Sequence, residues 1–362
     1  MLPWLTDRFG NPSGSHALAR AARAAIDDAR EVLGAAMGVD AGGVVFTAGG
    51  TEADNLAVLG VFARRPGVIV TSDIEHHAVL EAALATGAEV RKIPVDADGV
   101  VDTHALAGAV DRDVTLVSIM AVNNEIGTVQ PLDRIARIVR ARAPQAALHT
   151  DAVAAMPWLD VAGAAAGYDL VSISGHKFGG PQGVGALGVR DGFDLPPVTH
   201  GGGQERGRRS GTHNVAGVVG MAAAAAATVA HREADVTKVM ALRDRLVDGI
   251  LSRVPDAVET GRRAAKVAGN AHLRFAGVES EALLVLLDDA GVCASAGSAC
   301  ASGAMEPSHV LLALGIPAEE ALGSLRLSLG PTTTDSEVDL ALAAVPAAVS
   351  RLRATVAEFE AV

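Results

Sequence analysis

The sequence predicts an α/β fold, a large domain built on a mostly parallel seven-stranded sheet and then a smaller α+β domain. Three observations carry this. Between about residues 43 and 190, short β-branched runs alternate with Ala-rich helical patterns, the rhythm of a parallel sheet with helices on its faces. Most of these runs are apolar throughout, as strands covered on both sides must be. Beyond residue 190 the rhythm gives way to long helices and isolated strands.

Strands are predicted at 44–47, 68–71, 89–95, 115–120, 146–150, 170–174 and 185–189. Between them lie helical patterns at 51–64, 77–86, 103–110 and 131–143, the last opening on Pro131, whose missing N–H costs nothing in a first turn. Gly201-Gly202-Gly203 and an Arg-rich turn then lead into helices at 215–230, with six consecutive alanines, and 236–253. The small domain follows with a strand near 271–275, a helix at 280–290, a strand near 325–329 and a helix from Asp335. Cys293, in Gly291-Val292-Cys293-Ala294, reads as an inert packed residue of a short strand. The large domain is expected over 15–235 and the small one over 236–362, with residues 1–14 packing near the latter.

Composition narrows the classes. The 362 residues are 49% hydrophobic and 20% charged, which excludes disorder. A net charge of −12 argues against nucleic acid or an anionic membrane as partner. Two cysteines make no disulfide scaffold and cannot alone ligate a structural zinc or an iron–sulfur cluster. No continuous apolar run is read as long enough to span a bilayer, and no basic-then-apolar leader opens the chain. The expectation is a soluble cytoplasmic protein without a resident metal.

In such sheets ligands bind where loops leave the carboxyl ends of the strands. Strand 170–174 delivers Ser174-Gly175-His176-Lys177 there. Lysine is rare in this chain (Lys92, Lys177, Lys238 and Lys266). An amine after a buried strand, partly desolvated and with its pKa lowered, can form a Schiff base with an aldehyde cofactor. The bland alternative is a lysine in a Gly-rich turn. Asp151 ends strand 146–150 and could hold the pyridine nitrogen of pyridoxal phosphate protonated, making the ring an electron sink; it could equally cap the next segment. Gly50 and Thr51 open a helix whose free N–H groups suit a phosphate, though Gly-Thr helix starts are common. Ser174 and His176 could donate to the same phosphate.

His76 and His77 follow the next strand, and with aromatics at 3% an imidazole is the available ring to cover a cofactor face; His77 suits an ordinary helix surface. Asn123 and Asn124 follow strand 115–120 and could reach a cofactor or substrate oxygen, or form a simple turn. Cys300 sits in a run of tiny residues from Ser295 to Ala304, a candidate nucleophile or a tolerated surface thiol. Arg326, on an apolar strand, needs a partner: a bidentate substrate carboxylate or an internal salt bridge.

Together these stretches resemble the cysteine desulfurases of the NifS/IscS type, class V members of the fold-type I pyridoxal-phosphate enzymes. The resemblance rests on Asn11-Pro12-Ser13-Gly14-Ser15-His16, Thr51-Glu52-Ala53-Asp54-Asn55, Glu75-His76, Val122-Asn123-Asn124-Glu125-Ile126-Gly127 and Ser174-Gly175-His176-Lys177. It continues through Gly201-Gly202-Gly203, Glu205-Arg206, Arg209-Ser210-Gly211-Thr212 and Gly297-Ser298-Ala299-Cys300, the last followed by Glu306-Pro307-Ser308. It runs from about Phe9 to the C-terminal helix.

The resemblance implies the roles. Lys177 forms the internal Schiff base and moves protons, His76 stacks on the ring and Asp151 pairs with the pyridinium. Gly50, Thr51, Ser174 and His176 hold the phosphate, joined by Thr212 from the other subunit of a homodimer. Asn124, Arg326 and Asn11 bind L-cysteine, Arg326 through its carboxylate. Cys300 takes the sulfur as a persulfide, alanine leaves, and an acceptor such as an iron–sulfur scaffold or a tRNA-thiolation enzyme receives it. The only metal contact implied is a transient one with an iron–sulfur cluster through Cys300.

Two departures stand out. The family usually carries Gln three residues after the pyridinium Asp, donating to the phenolic oxygen of the cofactor; here that position is Ala154. The family also opens with a strand and an Asp-x-Ala-Ala-Thr-Thr-Pro segment, and the resemblance starts after it. Two other readings stay open at this point: a catalytically weakened member kept as a binding or regulatory partner, and a selenocysteine lyase or class V aminotransferase.

Overall fold

The computed structural model describes residues 1–297 and 307–360, with side chains up to 355. It divides into two compact units, one of Met1–Pro94, Val101–Val122 and Gln130–Arg232, the other of Val95–Val100, Asn123–Val129 and Glu233–Val362. Residues 1–14 therefore fall in the larger unit, and two short insertions from its loops belong to the smaller one.

Seven strands build the sheet of the larger unit: β1 (Val44–Thr47), β2 (Val68–Ser72), β3 (Val90–Ile93), β4 (Val114–Ser118), β5 (Ala147–Asp151), β6 (Leu170–Ser174) and β7 (Gly185–Val189). Their order is β1-β7-β6-β5-β4-β2-β3. Only β7 runs against its neighbours, pairing Thr47 with Gly185 on one side and Ser174 with Gly185 on the other. All other pairings are parallel. The carboxyl ends of β1, β2, β4, β5 and β6 thus share one edge, as sequence reading required. Every residue of β1, β2, β4, β5, β6 and β7 is buried.

The helices of this unit are α1 (Leu2–Thr6), α2 (Ala17–Met37), α3 (Gly50–Arg64), α4 (His77–Ala85), α5 (Thr103–Ala109), α6 (Leu132–Arg142), α7 (Val161–Ala164) and the first part of α8 (Val215–Leu251). Leu56, Ala57, Val58 and Val61 of α3 pack with Ile69, Leu116, Leu170 and Leu187 of the sheet. Burying each large aliphatic side chain of this layer contributes about 1.5–3 kcal/mol. Sequence reading passed over α2. It buries Ala19, Ala22, Ile26, Ala29, Leu33 and Met37 at helical spacing, a stripe of small and aliphatic residues opposite a charged face that lies before the first predicted strand. The helix starts on His16, whose Nδ1 accepts from the Ala19 N–H at 3.3 Å, and stops at Gly38 with φ 72°.

Pro131 is the cap before α6 and lies outside its first turn. The two helices expected at 215–230 and 236–253 are one, α8, because the charged stretch read as a break stays helical. By length and composition alone α8 also contains a window apolar enough to cross a membrane, contrary to the sequence reading. Its alanine run raises the hydropathy, while Val218, Met221 and Ala225 are packed in the protein interior.

The smaller unit holds an antiparallel sheet ordered β10-β9-β8, from β8 (Ala257–Glu259), β9 (Asn270–Phe275) and β10 (Ser324–Ser328). Its helices are the remainder of α8, α9 (Ser280–Asp289), α10 (His309–Ala313), α11 (Ala318–Ala321) and α12 (Asp335–Glu360). Cys293 belongs to no strand and is exposed, which corrects the packed reading. Gly291, with φ 80°, turns the chain out of α9 just before it.

Candidate functional site

The larger unit gathers one set of sequence-predicted residues at the carboxyl edge of its sheet. β5 ends on Asp151, 6% exposed. One carboxylate oxygen accepts the Val153 N–H at 2.8 Å. Burial raises Asp151 to about 6, opposed by that N–H and by the positive charge of Lys177. Asp151 and Lys177 therefore sit close enough to feel each other. The strand next to β5 explains why: β6 runs parallel, Asp151 pairs with Ser172, and Lys177 follows in a tight turn over Gly175–Phe178. That turn closes on Gly179, at φ 83°, a conformation other residues rarely adopt. The Lys177 side chain is exposed, where sequence reading had it partly desolvated; it projects from the strand end instead of packing under it.

Ser174, fully buried, lies 2.9 Å from His176 Nδ1 through its Oγ. Burial and the charge of Lys177 lower the His176 pKa. Beside them begins α3. The first N–H groups of any helix have no partner within the helix, and its dipole favours an anion there. Gly49 leaves this start open, since a Cβ there would meet only Ser174 Oγ, at 3.9 Å, whereas Gly50 lets the helix pack closely on Val153, whose side chain a Cβ would strike at 2.7 Å. Glu52 anchors the turn, accepting the Ala48 N–H at 2.6 Å and pairing with Arg209 at 2.7 Å. Thr51 is exposed at the same helix start.

His76 caps α4, its Nδ1 accepting the Ala78 N–H at 3.1 Å, and is half-buried, while His77 is exposed. Ala154 is half-buried and brings no side-chain donor. Thr212 is exposed on the Gly- and Arg-rich loop. Asn11 is exposed too, its Oδ1 accepting the Ser13 N–H at 3.0 Å.

That loop is fixed by a buried carboxylate. Glu205 accepts from Arg30 at 2.6 and 2.8 Å, from the Phe46 N–H at 2.9 Å and from His213 Nε2 at 2.5 Å. Burial alone would raise Glu205, but the His213 and Arg30 hydrogen bonds hold it down to about 2. Glu205 and Arg206 take left-handed backbone angles, φ 51° and 57°, a conformation costing about 1–3 kcal/mol for each non-glycine residue.

The smaller unit brings together Asn124 and Arg326. Arg326 lies on β10, half-buried, and its Nη1 donates to the Asn124 carbonyl at 2.9 Å. The β10 backbone at Arg326 also bridges Ser295 through bonds of 2.7 and 3.1 Å. Below lies Glu125, 5% exposed, which accepts from Ser308 Oγ at 2.5 Å. Burial lifts Glu125 to about 7 against the Ser308 bond and the Arg326 charge. His272, fully buried on β9, is depressed to about 3 by burial and neighbouring cations. Cys300 lies outside the described residues.

Sequence reasoning missed a third group. Asp54 on α3, Glu75 after β2 and His149 on β5 are almost completely buried. The signal was a polar residue inside apolar segments, as at His149 in Ala147-Leu148-His149-Thr150-Asp151.

The Aminotransferase class-V family profile matches residues 1–341. An IscS-like cysteine desulfurase of Mycobacterium tuberculosis is 46% identical, over 95% of this chain and 91% of its own. The cysteine desulfurase IscS of Methanosarcina thermophila is 44% identical, over 98% and 88%. Among solved structures, a NifS-like protein superposes with a TM-score of 0.90 at 34% identity, over 96% of this chain and 94% of its own. The chain belongs to the class-V aminotransferase family and, within it, to the NifS/IscS-like cysteine desulfurases.

Proposed function

We propose that the chain is a pyridoxal-phosphate-dependent cysteine desulfurase, converting L-cysteine to L-alanine while its sulfur passes to Cys300. The carrying observation is that Asp151 and Lys177, at neighbouring strand ends, lie close enough for the lysine's charge to lower the carboxyl pKa, beside the start of α3.

The donor set fits the cofactor. Asp151 has one carboxylate oxygen engaged by Val153 and can turn the other to a ring N–H. The α3 start, Ser174 and His176 offer N–H, O–H and imidazole donors for a phosphate dianion. His76 offers a flat face, and Lys177 an exposed amine. When bound, pyridoxal phosphate supplies the aldehyde for that amine and an electron sink for the substrate's bonds.

Each residue then has one task. Asp151 keeps the ring nitrogen protonated. The freed Lys177 amine takes a proton from the substrate α-carbon and returns protons as alanine forms. Arg326 and Asn124 orient the substrate, Arg326 pairing with its carboxylate. The Cys300 thiolate attacks the substrate sulfur; the carbon–sulfur bond breaks, the carbon takes a proton, and the sulfur stays on Cys300 as a persulfide. Thr212 completes the phosphate site of a second subunit in a cytoplasmic homodimer, Asn11 assists the substrate, and a scaffold or thiolation protein accepts the sulfur.

The test is to measure alanine and sulfide from L-cysteine with purified, cofactor-loaded chain. Lys177→Ala should abolish both, together with the visible absorbance of the bound cofactor. Cys300→Ser should abolish sulfide release; release persisting in that variant would overturn the role of Cys300. Ala154 favours a second reading, a weakened member that binds a partner. It predicts cofactor uptake without turnover of cysteine.

A further inference from the structure

The face of the sheet covered by α3 carries polar groups where apolar packing is the rule. His149 and Asp151 stand two residues apart on β5 and so project to the same face. Around His149 is a closed set of contacts. Ser118 Oγ of β4 lies 2.8 Å from its Nδ1, Ser172 Oγ of β6 lies 3.0 Å from its Nε2, and Asp54 Oδ1 of α3 lies 3.6 Å from the same nitrogen. The Ser172 hydroxyl is also near enough to the Asp54 carboxyl to lower its pKa. Every member is essentially buried: Asp54 is 1% exposed, and Ser118, His149 and Ser172 are 0% exposed.

A neutral imidazole has one donor and one acceptor nitrogen, and a serine hydroxyl has a single proton. Two arrangements run the chain in a single direction from end to end. With Asp54 ionised, Ser118 O–H donates to Nδ1, Nε2–H to Ser172 Oγ, and Ser172 O–H to the carboxylate. With Asp54 protonated the order is free to reverse: Asp54 O–H donates to Ser172, Ser172 O–H to Nε2, and Nδ1–H to Ser118.

Charge decides between them. The titratable groups facing Asp54 are His149 and Asp151 of β5 and Glu75 after β2. His149 is held neutral, depressed to about 3 by burial, and the other two are carboxyls. Ionising Asp54 would set a second negative charge beside Asp151 with no cation opposite it among the described residues. Asp54 Oδ1 also has no hydrogen-bond partner among them, and an orphaned carboxylate oxygen costs far more than the carbonyl oxygen of a neutral acid. Burial and the Asp151 charge accordingly raise Asp54 well above the usual carboxylate range.

We propose that Asp54 stores a proton behind Asp151 and passes its hydrogen bond through Ser172 and His149 to Ser118, so that Asp54 and His149 position the charge Asp151 presents. The consequence for a ring nitrogen rests on the cofactor reading above; the stored proton does not.

The test uses the purified full chain, with and without pyridoxal phosphate, read by infrared difference spectroscopy and by cofactor titration. At neutral pH, Asp54→Asn should remove one protonated-carboxyl C=O band, and Glu75→Gln a separate one. Ser118→Ala, a mild change at the far end of the chain, should shift the Asp54 band. Asn keeps a neutral donor toward Ser172, so its loss of cofactor affinity should stay below about tenfold, while Asp54→Leu should lose more than about tenfold. An unchanged carboxyl region in Asp54→Asn overturns the proposal, as does equal affinity loss in the Asn and Leu variants. A chain that takes up no pyridoxal phosphate at all would sink the cofactor reading and leave the infrared result standing.

Discussion

Ser308 Oγ donates to Glu125 Oε2 at 2.5 Å within the smaller unit, joining residues 183 positions apart. The same oxygen would lie 2.9 Å from a Cβ placed on Gly297, with His272 Nε2 at 3.3 Å. One buried carboxylate is thus the common neighbour of residues 297 and 308.

Gly297→Ala should therefore destabilise the chain. The oxygen it would strike is held by Ser308 and cannot swing aside freely. Overpacking of this kind costs about 1–3 kcal/mol. Urea unfolding of the two chains measures it, and equal midpoints would show that Glu125 yields.

Raised acids give stability a falling limb. Burial lifts Glu75 to about 8, against the Ser72 and Met120 hydrogen bonds and with the Asp151 charge adding to the rise; Glu125 sits near 7. Between 4.5, the unfolded value, and those pKa values, the folded chain holds protons that the unfolded chain has lost. Their contribution is complete below pH 4.5 and is lost as pH rises through about 7 and 8. Glu75→Gln should flatten this decline, checked by denaturant unfolding of both chains across that interval. A parallel decline in the variant would refute it.

Glu205 has the opposite sign. Its folded pKa of about 2 lies below the ordinary 4.5, so its stabilisation is present above 4.5 and lost as pH falls through about 2. Arg30→Met leaves the Glu205 carboxylate buried without its main partner, a change costing about 3–5 kcal/mol. Thermal unfolding near neutral pH should register the loss, and the penalty should shrink in acid.

Gly185→Ala tests the proposed phosphate cradle. Its Cβ would fall 2.6 Å from the carbonyl carbon of Gly49 and 2.8 Å from the Ile173 oxygen, both backbone atoms that cannot rotate away. The start of α3 must then move. Pyridoxal-phosphate affinity should drop by about tenfold or more, read by absorbance titration; retained affinity would mean that the cradle does not use this helix start.

Strand positions were legible because a sheet covered on both faces writes itself as uninterrupted apolar runs: β1, β6 and β7 fall where the residues predicted them. The stripe of α2, Ala19 to Met37, was there to read but precedes the strand–helix alternation, and Gly291 turned Cys293 outward where neighbours such as Val292 suggested a strand. At the sheet edge, residues carried by loops after strands could be named from order alone, among them Asp151 and Lys177. Asp54 and His149 could not, since their pairing joins α3 to β5 and exists only once the layers close.

The antiparallel strand has a consequence for biosynthesis. β1 leaves the ribosome early, yet among the described residues its sole neighbour in the sheet is β7. Until that hairpin partner of β6 has been translated, Thr47 has nothing to pair with, and the α3 start that follows it lacks its final support. At about 5–20 residues per second, the nascent chain spends seconds with this edge open. Cofactor loading should thus be a late event, following release of β7 and not accompanying synthesis of the first helices.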